Sequence, residues 1–131
     1  MNPLLFAMPG FGSAVAEAPG LEHRACEVGR SAAGELHAVL DGDAYERDCV
    51  LVGSIAPPDE QLLSFALAAD TLDRDGARSV TAVLPYLAFA RQDSDGRRRS
   101  AAAGWTGWLL EASGVDRVIA VDVHDPAIAG Q

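Results

Sequence analysis

The sequence predicts an α/β domain built on a parallel, doubly wound sheet. Three observations carry that expectation. Short apolar runs rich in β-branched residues recur at 49–52, 79–84 and 118–121, the pattern of strands covered on both faces. Between the first two lies an apolar stripe at helical spacing: Leu62, Leu63, Ala66, Leu67, Ala69 and Leu72. A second segment able to form a helix, 105–112, separates the second run from the third. Strand, helix, strand, helix, strand with right-handed crossovers gives a parallel sheet with helices on both faces.

The elements follow in order. Residues 4–8 read as a buried first strand, ended by Pro9, Gly10 and Gly12. Residues 13–18 suit a short helix that Pro19-Gly20 stops. Two short strands, 24–28 and 35–40, flank a turn at 29–34, and Asp41-Gly42-Asp43 makes a polar turn after them. Pro57-Pro58-Asp59 opens the long helix, with Asp59 placed to cap it, and Gly76 closes it. The second helix stops near Gly114. No internal repeat, low-complexity linker or second domain boundary interrupts the series.

The apolar start Leu4-Leu5-Phe6-Ala7-Met8 and the later Ala14-Val15-Ala16 imitate a secretory leader. No positive residue precedes that run, however, and Pro9-Gly10 cuts it short, so a first strand of a cytoplasmic protein is expected. Cys26 and Cys49 lack metal-ligand spacing and suggest core residues in a reducing compartment. A formal charge of −9 argues against a nucleic-acid partner, and no stretch is apolar for long enough to span a membrane. The chain of 131 residues contains no lysine; all ten cations are arginine. That excludes a P-loop lysine and a Schiff-base lysine together. Any phosphate must be met by arginine, backbone N–H groups, a helix N-terminus or a metal.

Ligands of open parallel sheets bind outside the carboxyl ends of the strands. Two of those ends carry unusual polar residues. The run ending in Leu84 continues through Pro85 and Tyr86 to Arg91, Gln92 and Asp93, and the run 118–121 ends in Asp122, Val123 and His124. These types suit a magnesium–triphosphate ligand. Arginine grips phosphate oxygens with paired donors, and Gln92 offers donors and an acceptor to a purine edge or ribose. Asp122 and His124 can hold Mg²⁺ directly or through its waters, or His124 can donate to a phosphate. Plainer readings stand beside these. Arg91 with Asp93 also fits a surface ion pair worth under about 1 kcal/mol. His124 also fits a strand-end histidine bonded to a backbone carbonyl, and Arg97-Arg98-Arg99 fits a solvated loop.

The string Val83-Leu84-Pro85-Tyr86-Leu87-Ala88-Phe89-Ala90-Arg91-Gln92-Asp93 resembles the "PYxxYARQD" segment of ribose-phosphate pyrophosphokinases. Gly114-Val115-Asp116-Arg117-Val118-Ile119-Ala120-Val121-Asp122-Val123-His124 resembles that family's "GADRVITMDLH", at a matching separation. Glu27-Val28-Gly29-Arg30 and Gly34-Glu35 are more distantly similar to its "GRFxDGE" region. The resemblance implies a type I phosphoribosyltransferase-like fold, with residues 1–131 as the N-terminal domain and the second, C-terminal domain absent. It implies the activity of ribose-phosphate diphosphokinase, which moves pyrophosphate from Mg-ATP to ribose 5-phosphate to make phosphoribosyl pyrophosphate for nucleotide biosynthesis. This chain would carry the ATP and Mg²⁺ half only and be inactive alone, with no catalytic residue of its own. By the resemblance, Arg91, Gln92 and Asp95 bind ATP, while Asp122 and His124 bind Mg²⁺ and the nucleotide phosphates. Glu35 would reach adenine across a subunit contact, which implies a homo-oligomer, a hexamer in the family.

The departures are specific. Ser31 stands where the family has an adenine-stacking Phe, Ala33 replaces an Asp or Asn, and the family's "PISAK" becomes Ser100-Ala101-Ala102-Ala103-Gly104. An aromatic platform is worth about 0.5–1.5 kcal/mol beyond its buried area. Its loss motivates an alternative expectation: a non-catalytic, pyrophosphokinase-associated binding or regulatory subunit.

Overall fold

A computed structural model describes residues 2–17, 20–85 and 98–120. The chain forms β1 (Leu4–Ala7), α1 (Gly12–Ala16), β2 (His23–Arg30), β3 (Leu36–Leu40), β4 (Asp48–Val52), α2 (Glu60–Arg74), β5 (Ser79–Leu84), α3 (Ala102–Ala112) and β6 (Arg117–Ala120). The strands make one sheet in the order β3-β2-β1-β4-β5-β6. Every adjacent pair is parallel except β2 and β3, which form an antiparallel hairpin. The sheet is thus wound outward from β1 in one direction and from β4 in the other, and the order reverses between those two central strands.

Period-two alternation assigns the layers. Leu4 and Phe6 of β1, Cys49 and Leu51 of β4, and Val80, Ala82 and Leu84 of β5 share one core cluster with Leu62, Phe65, Ala68, Ala69 and Leu72 of α2 and Leu110 of α3. On the opposite face Leu5 and Ala7 pack with Val15 of α1. Among the described residues α1 is the helix on that face, and Val50 and Val52 at its border stay half-buried.

The structure corrects several expectations. Asp59 occupies the N-cap position of α2, but its side chain makes no cap bond, and its backbone is already helical where a capping residue is normally extended. The buried side of α2 includes Phe65 and Ala68, whereas Leu63 and Leu67 are exposed at 54% and 38%. β2 runs on through Gly29 and Arg30, so its turn is shorter than expected, and α3 begins at Ala102 rather than Trp105. β6, expected to be a buried strand, is the sheet's edge among the described residues, with Val118 and Ile119 at 41% and 50% exposure. Val121 lies outside the described residues.

Both longer helices end alike. At α2 the amide of Ala77 donates to Leu72 O and that of Gly76 to Asp73 O. At α3 Val115 and Gly114 do the same with Leu110 and Glu111. This is the paired bonding of a Schellman cap, which needs a positive φ at its turning residue; Gly76 and Gly114 supply +93° and +94°. Immediately after the second cap, Asp116 ties β6 to β5 twice: its amide donates to Val80 O at 2.8 Å, and its carboxylate accepts from the Val80 amide at 2.8 Å.

Asp48 performs a similar task at the same amino end of the central strands, between β4 and β5. It accepts from the Arg78 guanidinium and from the Ser79 hydroxyl at 2.7 Å. The bonds from Arg78, then that from Ser79, hold the Asp48 carboxyl well below the usual carboxylate range. A carboxyl lowered in the folded state stabilises fully above its unfolded value, about 3.9, and loses that contribution as pH falls toward the folded one. The wild type is therefore expected to lose more stability between pH 5 and pH 3 than Asp48→Asn. Urea midpoints at the two pH values check this, and equal losses would contradict it.

Cys26 and Cys49 are each 1% exposed and form no disulfide. Burial pushes both thiols up to about 11, helped at Cys26 by the neighbouring Glu27. At pH 8 neither should react with a thiol reagent while the protein is folded, and both should react at once in urea. Rapid modification of the folded protein would contradict this.

Candidate functional site

The sheet's carboxyl edge is where the two polar segments leave it. β5 and β6 pair in parallel, with Leu84 opposite Ala120, so the chain enters both segments from neighbouring strand ends. Arg91, Gln92, Asp95, Asp122 and His124 lie outside the described residues. Among the described residues no group of three or more His, Cys, Asp or Glu side chains is placed to hold a metal.

Glu35 is described, and it sits elsewhere. The β2–β3 hairpin closes through the Ser31 amide donating to Glu35 O at 2.8 Å and the Gly34 amide donating to Ser31 O at 2.8 Å. The Glu35 amide adds a 3.2 Å bond to Ser31 Oγ, so the serine standing in the aromatic position holds the turn. Glu35 is exposed, and its carboxylate makes no ion pair among the described residues. β2 runs parallel to β1, so this hairpin also projects from the carboxyl edge. It is separated from β5 by β1 and β4, three strand spacings or roughly 14 Å. One chain therefore does not bring Glu35 to the ends of β5 and β6.

What the sequence did not single out lies between them. A cleft of about 470 Å³ opens where the strand order reverses, beyond the ends of β1 and β4 and under the hairpin. Met8, Phe11, Val28 and Leu36 give it apolar walls. Arg30 and Glu60 cross its margin as an ion pair at 2.6 Å, and Arg30 also donates to Gly34 O at 2.6 Å. That bridge fastens the turn end of the hairpin to the first turn of α2. Its partners are thirty residues apart, so no local motif announces them. The available signal was the winding rule itself, which locates the crevice at the reversal.

Three comparisons bear on this architecture. Residues 5–114 match the family model of the N-terminal domain of ribose phosphate pyrophosphokinase. The chain is similar to the ribose-phosphate pyrophosphokinase of Bacillus caldolyticus, at 35% identity over 118 residues, covering 88% of this chain and 38% of that one. It is similar to the Bacillus subtilis (strain 168) protein of the same name at 32% over 124 residues, covering 93% and 39%. Among solved structures, phosphoribosylpyrophosphate synthetase from Mycobacterium smegmatis superposes with a TM-score of 0.87 at 31% identity, covering 98% of this chain and 45% of that one. A Leishmania donovani (L. donovani) hypoxanthine-guanine phosphoribosyl transferase, at a TM-score of 0.51 and 13% identity, shares the fold alone. The chain spans less than half the length of these pyrophosphokinase relatives.

Proposed function

Since the chain belongs to the family of ribose-phosphate pyrophosphokinase N-terminal domains, we propose that it supplies the Mg-ATP side of pyrophosphoryl transfer to ribose 5-phosphate. The observation that carries this reading is the parallel pairing of β5 with β6, Leu84 opposite Ala120, from whose ends the two polar segments depart. In this reading Arg91 grips the polyphosphate with paired donors and Gln92 and Asp95 orient the nucleoside. Asp122 offers the hard oxygen that Mg²⁺ prefers, and His124 bonds a metal-bound water or a phosphate oxygen. Magnesium, when bound, neutralises charge on the polyphosphate. Such chemistry asks for positioning and charge balance more than for a nucleophile from the protein.

The ribose 5-phosphate side falls to the remainder of a protein of the relatives' length. Glu35, placed away from the ends of β5 and β6, acts in this reading on the nucleotide of a neighbouring copy, and the assembly is a homo-oligomer in the cytoplasm. No helix among the described residues is long and apolar enough to cross a membrane.

Calorimetric titration with Mg-ATP tests the reading. One saturable site is expected, together with no phosphoribosyl pyrophosphate from this chain, ATP and ribose 5-phosphate. Absence of binding would defeat the nucleotide assignment, and product formation would defeat the division between halves. A second reading, a non-catalytic partner subunit, is favoured by Ser31, whose hydroxyl bond to the Glu35 amide completes the hairpin without an aromatic platform. It predicts no binding of Mg-ATP by this chain in the same titration.

A further inference from the structure

The cleft at the strand reversal lies beyond the ends of β1 and β4, and the reading above gives it no role. Its volume of about 470 Å³ lies within the range of about 300–1,000 Å³ common to small-molecule pockets. Its walls come from five separate pieces of the fold: the end of β1, the residue before α1, the hairpin, the segment after β4 and the first two turns of α2. Apolar contact is offered by Met8, Phe11, Val28 and Leu36. Among the described residues the charges on its lining are Arg30 and Glu60, and they cancel in their own ion pair. A bare anion entering here would have to displace Glu60 from Arg30, and a bare cation would meet the guanidinium. An uncharged guest meets neither obstacle.

The pair still has capacity to recognise an edge. Among the described residues Glu60 Oε1 has no bonding partner, and Arg30 uses Nη1 and Nη2 but not Nε. The ion pair thus keeps one carboxylate oxygen as an acceptor and one guanidinium N–H as a donor for a guest. We propose that this cleft binds an uncharged, flat heteroaromatic compound whose ring lies against Met8 and Phe11 and whose donor–acceptor edge meets Glu60 and Arg30. Because Arg30 also holds Gly34 O, the guest would rest against the turn of the hairpin that carries Glu35.

The chain contains only two methionines, Met1 and Met8, so methyl-labelled methionine gives one reporter inside the cleft. Benzimidazole is a suitable probe, being flat and carrying a donor and an acceptor on one ring. A saturable shift of the Met8 methyl resonance is expected, with no comparable shift from inorganic phosphate at equal concentration. Ser64→Trp, which fills the cleft from α2, should abolish it. If that variant does not fold, Phe11→Ala reads the same contact and should weaken binding about threefold to tenfold. Arg91→Ala with His124→Ala should leave the shift intact, which separates this site from the nucleotide site. An unmoved Met8 signal, equal movement with phosphate, survival in Ser64→Trp, or loss in the Arg91 and His124 variants would each overturn the proposal.

Discussion

Replacing Phe65 by alanine is expected to remove about 3–5 kcal/mol of folding stability, the usual cost of deleting a buried aromatic ring. Phe65 is 0% exposed on the sheet side of α2. Its ring lies so close to the end of β4 that a Cβ on Gly53 would come within 3.0 Å of Cδ2. The ring thus fills the junction of α2, β4 and Met8, where rigid backbone cannot collapse into the space left behind. Against a total of about 5–15 kcal/mol for a domain, that is roughly a fifth or more of the whole. Urea unfolding should show the midpoint falling by roughly 2 M at an unchanged slope. The control is Leu63→Ala on the same helix, 54% exposed, which should change stability by less than about 0.5 kcal/mol. Equal losses from the two variants would refute this assignment of the helix face.

Arg91→Ala should weaken Mg-ATP binding between about tenfold and a hundredfold. The argument is one of charge and geometry. A hydrogen bond to a charged group contributes about 1.5–3 kcal/mol, and an arginine on a polyphosphate offers two in parallel. With no lysine in the sequence, no neighbouring ammonium can substitute for it. Arg91→Lys should recover only part of the loss, because an ammonium supplies the charge without the planar fork. The titration belongs at one fixed ionic strength, since screening alters any exposed pair. An affinity within twofold of the wild type would remove Arg91 from the site.

How far the sequence revealed this molecule can be judged from individual residues. β4 and β5 were legible because Cys49, Leu51, Val80 and Leu84 belong to short apolar runs bounded by turns, and central strands of a parallel sheet look like that. β6 carries an equally apolar run yet lies at the edge among the described residues, since a run of Val and Ile records composition and not neighbours. On α2 the positions Leu62, Ala66, Ala69 and Leu72 were read correctly. Leu63 and Leu67 were included for their hydrophobicity, although they flank the stripe, and Phe65 was missed within it. Gly29 looked like a turn residue, but it is a strand residue beside the ring of His37 on β3; a Cβ there would come within 2.9 Å of that ring. Of the candidate site, the strand ends that bear the polar segments were legible from motif and topology together. The Arg30–Glu60 bridge was not, because only the folded sheet brings its halves into contact.

The double tie between Asp116 and Val80 has a consequence for precision at a distance. Parallel strands can in principle slide past one another by two residues and keep their faces, which would displace whatever follows them by about 7 Å. Anchoring both the N–H and the C=O of Val80 to a single aspartate sets the zero of that scale. Four residues later, about 13 Å along the strand, Ala120 stands level with Leu84 and not beside another residue of β5. Tolerances at one rim of the sheet are thereby decided at the other, by a side chain that need never meet a ligand.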